Sequence, residues 1–173
     1  MAGKQIQINA AHVDNRKVSE ECSLIVAADN ILVQANTLDN RGTKNTINPT
    51  QGIQAAQVTL TAQQINNQSG GIYAIQRGTL NVTSTLDNRQ GDILSTGQLD
   101  INGDKSHVNL NNAEGKIHAG KHVTLTAKTL QNEGNISTTG NADIALTDGI
   151  ELKNAFQVNG HLHFTTEGKF TNK

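Results

Sequence analysis

Six histidines, one cysteine and three Asp-Asn-Arg triplets are the residues of this chain best suited to chemistry. The histidines, His12, His107, His118, His122, His161 and His163, invite a metal. His118 and His122 stand four apart, the spacing of two ligands on one helical face, but Gly120 puts a turn between them. His161 and His163 flank Leu162 as two outward residues of a strand would flank an inward one. A zinc site needs three or four converging ligands. No carboxylate or thiol joins either pair at ligand spacing, so surface histidines are expected and no metal. Repeat-turn calcium sites carry Gly-Gly-x-Gly-x-Asp, and only Gly70-Gly71 is present here.

Covalent catalysis has little to build on. Cys22 lies between Glu21 and Ser23, beside the apolar run Leu24-Ile25-Val26, and nearby acids raise a thiol pKa rather than activate it. There is no Gly-x-Ser-x-Gly elbow and no phosphate-binding loop. Asp14-Asn15-Arg16, Asp39-Asn40-Arg41 and Asp87-Asn88-Arg89 set acid beside base, in the manner of exposed ion pairs of small energetic worth. A polysaccharide lyase would cluster its carboxylates around one base, whereas these acids are dispersed. With one Tyr and three Phe the chain offers few aromatic platforms for sugars, and Phe156, Phe164 and Phe170 read as core filler. No catalytic, cofactor-binding or metal-ligating residue is assigned, and no cofactor or small-molecule substrate is expected.

The balance of charge is equally plain. A formal net charge of -1, a pI near 6.6 and scattered single charges make no field that would draw nucleic acid. One cysteine excludes an intrachain disulfide. No apolar run has the length of a transmembrane helix, and Met1-Ala2-Gly3-Lys4 lacks the hydrophobic region of a signal peptide. Together with the repeats below, this is expected of a piece of a larger exported protein.

The elements that position these residues are repeats. An apolar residue, any residue, then Asn recurs at Asn15, Asn40, Asn67, Asn88, Asn112, Asn132, Asn154 and Asn172, at intervals of 25, 27, 21, 24, 20, 22 and 18. Before each Asn the chain alternates apolar with Thr, Gln or Asn, most cleanly in Val58-Thr59-Leu60-Thr61-Ala62 and Val123-Thr124-Leu125-Thr126-Ala127. That is the period of a strand with one dry and one wet face. After each Asn turn comes a shorter strand, such as Gly71-Ile72-Tyr73-Ala74 or Lys116-Ile117-His118-Ala119.

Strands and turns this short leave no room for crossover helices. Parallel pairing then requires each repeat to be one full coil of a right-handed parallel β-helix. About eight coils over residues 1–173, rising about 4.8 Å each, give a rod roughly 35 Å long. The expected inward residues are Ile8, Val33, Leu60, Ile72, Leu80, Ile93, Leu99, Ile117, Leu125, Ile136, Leu146 and Leu162. The corner asparagines suit the left-handed backbone region, and in register their amides would form a ladder. Excursions near 16–23, 41–51 (with Pro49) and 102–107 account for the longer intervals and belong at corners.

Leu86-Asp87-Asn88-Arg89-Gln90-Gly91-Asp92-Ile93 and the stretch Leu110 to Gly120 resemble the repeats of filamentous haemagglutinin. The similarity runs through residues 30–154 and more loosely through both ends. It implies the shaft of a large exoprotein, an adhesin or a contact-dependent growth inhibition effector, secreted to the Gram-negative cell surface. The export partner implied is an outer-membrane transporter of the two-partner type.

The function expected is therefore a structural, non-catalytic shaft projecting an adhesive or toxin-delivering tip. The alternative is a segment that contacts a target-cell surface receptor through its long loops, with a lyase-like β-helix enzyme a distant third. Because no metal is expected, EDTA should leave the thermal melting curve unchanged. A lower melting temperature in chelator would reveal an ion the sequence does not announce.

Overall fold

Alternation of apolar and polar residues passes directly into strands. A computed structural model describes residues 3–18, 23–44, 51–154 and 156–172. Glu20, Glu21, Cys22 and Pro49 lie outside the described residues, so the expectations placed on them have no structural counterpart. The strands are β1 (Gln5–Asp14), β2 (Leu24–Val26), β3 (Asn30–Asp39), β4 (Gly52–Asn66), β5 (Gly71–Asp87), β6 (Asp92–Ser95), β7 (Gln98–Gly103), β8 (Asn109–Asn111) and β9 (Lys116–Ala119). They continue as β10 (His122–Ala127), β11 (Thr129–Gln131), β12 (Asn135–Thr138), β13 (Asn141–Leu146), β14 (Ile150–Leu152), β15 (Gln157–Val158), β16 (Leu162–Thr166) and β17 (Phe170–Asn172).

Every pairing is parallel and joins one coil to the next, giving a right-handed β-helix of about seven turns with no helix among the described residues. Eight corners were expected to mean eight coils; eight corners delimit seven turns. Three walls make up a coil. The first wall holds β2, the starts of β4 and β5, then β6, β9, β12 and β15. The second holds β1, β3, the middles of β4 and β5, then β7, β10, β13 and β16. The third holds the ends of the long strands, then β8 and β11. β14 and β17 pair separately.

In-register pairing turns each inward position into a column. On the second wall Ile8, Val33, Leu60, Leu80, Ile101, Leu125, Ile144 and Phe164 stack in order. The first wall contributes Ile25, Ile53, Ile72, Ile93, Ile117 and Ile136. The columns meet in one aliphatic core, each fully buried side chain contributing roughly 1.5–3 kcal/mol. Two of the expected inward residues point inward without being fully buried. Ile8 is only partly buried, and Leu162 is 44% exposed. Both occupy inward columns, but among the described residues no strand pairs beyond β1 or β16, so nothing covers them.

The corner between the third and first walls carries the asparagines. Asn15 donates through Nδ2 to Asn40 Oδ1 at 2.7 Å, and the same bond joins Asn40 to Asn67, Asn67 to Asn88, and Asn88 to Asn112. Asn112 donates to Asn132 at 2.8 Å. The second proton of Nδ2 reaches a backbone carbonyl of the first wall, as from Asn40 to Gly71 at 3.0 Å. The left-handed conformation expected of these asparagines lies instead two residues later, at Ser69, Gln90 and Glu114 (φ 50°, 56° and 55°). Glycine follows because the adjacent coil's backbone and the ladder both press on it. A Cβ on Gly91 or Gly115 would stand 2.6 Å from the Asn88 or Asn112 Oδ1, and closer still to the backbone Asn67 O or Asn88 O.

Among the described side chains the ladder runs through six asparagines, Asn15 to Asn132. β14 buries Ile150 and Leu152 and leaves Glu151 outward. Leu152 in turn pairs with Asn172, twenty residues on. Leu152, and not Asn154, therefore holds the inward corner position. Asn154 falls two residues late, is exposed, and donates to Glu133 O at 2.7 Å. Asn132 Nδ2 consequently has no partner. The side chain of Asn172 is outside the described residues.

An interior rung should therefore matter more than the last. Asn88→Ala strips Asn67 of an acceptor and Asn112 of a donor, at a cost of about 1–3 kcal/mol. Asn132→Ala breaks one ladder bond and removes an orphaned donor, so its denaturation midpoint should fall less. Equal losses would mean the ladder does not act as described.

Candidate functional site

The residues singled out for chemistry are mostly dispersed over the walls. His12 Nδ1 lies 2.6 Å from Thr37 Oγ1, and His107 pairs with Asp104 at 3.1 Å in the 102–107 turn. His122 Nε2 is 3.0 Å from Asp143 Oδ2 on the second wall, where His163 is the register neighbour of Asp143. His118 sits on the first wall, so the turn at Gly120 separates it from His122. No three His, Cys, Asp or Glu converge as metal ligands among the described residues. Phe164 packs against both other phenylalanines, with centroids 6.0 Å from Phe156 and 5.1 Å from Phe170. Phe170 is nonetheless 48% exposed and fills no core.

In each Asp-Asn-Arg triplet the arginine folds back on its own aspartate, at 2.6, 2.8 and 2.7 Å for Arg16, Arg41 and Arg89. The backbone N–H of Arg16 also bonds to Asp14, at 3.1 Å. Register stacks Asp14 on Asp39, and Arg16 reaches Asp39 at 3.6 Å, so the arginines offset the repulsion of stacked carboxylates. The Arg16 guanidinium hydrogen bonds, then its backbone N–H, hold Asp14 down to about 2. For Asp87 burial pulls upward, but the Arg89 side-chain and backbone hydrogen bonds and nearby positive charge outweigh it, and the net shift is downward.

The outward column of the first wall is different in kind. Val26, Gln54, Tyr73, Leu94, His118, Ser137 and Gln157 follow one another strand by strand. Its upper part borders a groove of about 710 Å³. The floor is the small residues Ala55, Ala74 and Ser95, and one bank is the bend into the second wall, with Ala28, Ile75 and Thr96. Among the described residues no Asp, Glu, Lys or Arg lines it. Ile75 is 64% exposed, an unusual position for so large an aliphatic.

At His118 the character changes. His118 belongs both to the apolar groove and to a polar hollow of about 420 Å³ lined by Lys116, Asn135, Ser137, Thr138, Thr139, Gln157 and Asn159. His118 Nδ1 is 2.9 Å from Ser137 Oγ. Burial, then the positive charge of Lys116, lower the His118 pKa and favour the neutral ring. On its other side Lys116 borders Glu114 and Glu133. Glu133 is ion-paired with Lys153, while Glu114 accepts a neutral amide N–H from Gln90 at 2.9 Å and forms no salt bridge with Lys116.

A strand with one dry and one wet face does not by itself announce this groove. A signal was present: Ile72-Tyr73-Ala74-Ile75 and Ile93-Leu94 break strict alternation, and only one of two adjacent apolar residues can face the core. The feet of the two long excursions do adjoin, Lys17 N–H bonding to Arg41 O at 3.0 Å. Comparison with family models, with curated proteins and with solved structures finds no match.

The triplets give a pH test. Because Asp14 is held at about 2 against an ordinary 3.8, its ionised form favours the fold above 3.8, and that contribution disappears as the pH falls to about 2. Asp14→Asn should melt below the parent at neutral pH and together with it near that lower limit, with the gap narrowed by salt. A gap that persists at the low end would assign the loss to something other than the ion pair.

Proposed function

We propose that this chain is a shaft segment of a secreted, surface-associated exoprotein, structural rather than catalytic, projecting an adhesive or toxin-delivering tip. The observation that carries it is the stack of parallel coils, continuous along its first and second walls, with one aliphatic core and an amide ladder through six of its corners. Such a stack resists bending because each coil is bonded to the next along at least two walls. It needs no disulfide and suits a chain that crosses an outer-membrane transporter unfolded and folds outside, each coil templating its successor. The likeness of the Leu86–Ile93 stretch to filamentous haemagglutinin repeats supports the same reading.

The neighbouring feet of the excursions at Arg16 and Arg41 favour a second reading, in which these loops contact a receptor on a target cell. The two readings separate experimentally. β6 pairs with β9, β7 with β10, and β5 with β8, all at an offset of 24, so deleting residues 89–112 removes one coil in register on all three walls.

A shaft should tolerate that deletion. The shortened chain is expected to fold, to be detected by antibody on intact cells that make it, and to lose about 4.8 Å of length. Detection of the segment only inside the cell would overturn the proposal. Loss of target-cell binding on shortening the two excursions, with the coil deletion harmless, would favour the receptor reading.

A further inference from the structure

We infer that the first wall binds a single-chain anionic amphiphile of the fatty-acid class, with its alkyl chain along the apolar groove and its carboxylate in the polar hollow at Lys116. The groove spans five successive strands, from Val26 to His118, or four spacings of about 4.8 Å, roughly 19 Å in all. One leaflet of a bilayer's hydrocarbon is about 15 Å deep, so the groove accommodates one extended acyl chain. Its lining carries no full charge among the described residues, and Leu94 and Ile75 stand where a methylene chain would meet them.

The match at the far end is electrostatic. An apolar groove alone names no ligand; this one runs through His118 into a hollow where the chemistry reverses. There the Lys116 ammonium forms no ion pair among the described residues, since Asp92, its register neighbour, is taken by Lys44 at 2.9 Å. Asn135, Gln157 and Asn159 bring further amide donors to the same hollow. A cation and neutral donors at one end of a charge-free channel are complementary to a carboxylate on a hydrocarbon tail. A peptide would bring backbone amides that the groove floor, mostly alanine, does not answer.

The experiment is displacement of a fluorescent fatty acid from the 173-residue chain by palmitate and by 1-hexadecanol, both below their aggregation limits. Leu94→Glu and Ile75→Glu alter outward side chains, and circular dichroism checks that each variant is folded. Saturable palmitate binding should weaken at least tenfold in Leu94→Glu, from lost apolar contact and a charge set in the groove. Lys116→Gln should weaken palmitate roughly two- to fivefold, the worth of an exposed charge pair, and leave hexadecanol unchanged. Absence of saturable binding, binding that survives both glutamate variants, or an equal effect of Lys116→Gln on acid and alcohol would each overturn the proposal. So would binding to palmitate-free phosphatidylcholine vesicles with none to the monomeric acid.

Discussion

Parallel hydrogen bonding between coils is the constraint on which everything else here depends. A backbone amide on any wall finds its acceptor on the adjacent coil, so the offset between successive coils must stay constant along each paired strand within a wall. Between the coils of β6–β8 and β9–β11 that offset is 24 on the first and second walls and 20 on the third. The difference of four residues is absorbed at one corner, the Asp104–His107 turn, where His107 N–H bonds back to Asp104 O at 3.1 Å. Length can vary only where the ladder is absent. The long excursions after Asn15 and Asn40 obey the same rule, leaving the walls paired on both sides of them.

The asparagine corner follows from this register. Once equivalent residues lie about 4.8 Å apart, a primary amide is the side chain that can donate upward and accept from below at every level. Its second proton ties the third wall to the first, as between Asn88 Nδ2 and Gly91 O at 3.2 Å. The ladder therefore fixes the angle of the corner as well as the rise. It also has a direction, and it ends where Leu152 occupies the corner with nothing to accept Asn132 Nδ2. That end coincides with the break between β11 and β14, where the third wall ceases to be continuous. Loss of the amide and loss of the strand pairing occur together because each holds the other in place.

Much of this was legible in the sequence. Alternation identified the strands, and the spacing of Asn with an apolar residue two before it identified the coils. Three things were not legible, each for a physical reason. The pattern fits both Leu152-Lys153-Asn154 and the true corner Ile150-Glu151-Leu152, and only the pairing of Leu152 with Asn172 and the burial of Ile150 and Leu152 decide between them. Burial of Leu162 depends on a covering coil, which alternation within its own strand cannot report. The groove belongs to no single segment, since Val26, Tyr73 and Leu94 are brought together only when three strand registers are known. Handedness of the corner residues was misplaced because Asn was weighed for its backbone tolerance, while the structure uses its amide.

A solenoid multiplies every outward choice into a column, and two outward columns of this chain differ in kind. On the second wall the column is Gln7, Leu32, Thr59, Thr79, Asp100, Thr124, Asp143 and His163, largely polar, as suits a wall that need only be stiff and soluble. On the first wall the corresponding column sets Val26, Tyr73 and Leu94 outward beside an exposed Ile75. Thr, which is β-branched and favoured in strands, would serve the sheet there without presenting apolar surface to water. Neither the core nor the amide ladder needs those outward side chains, because both are built wholly from inward columns and corners. Stiffness and surface recognition are thus held by separate residues of the same coils, and a change in one column leaves the other free to keep its role.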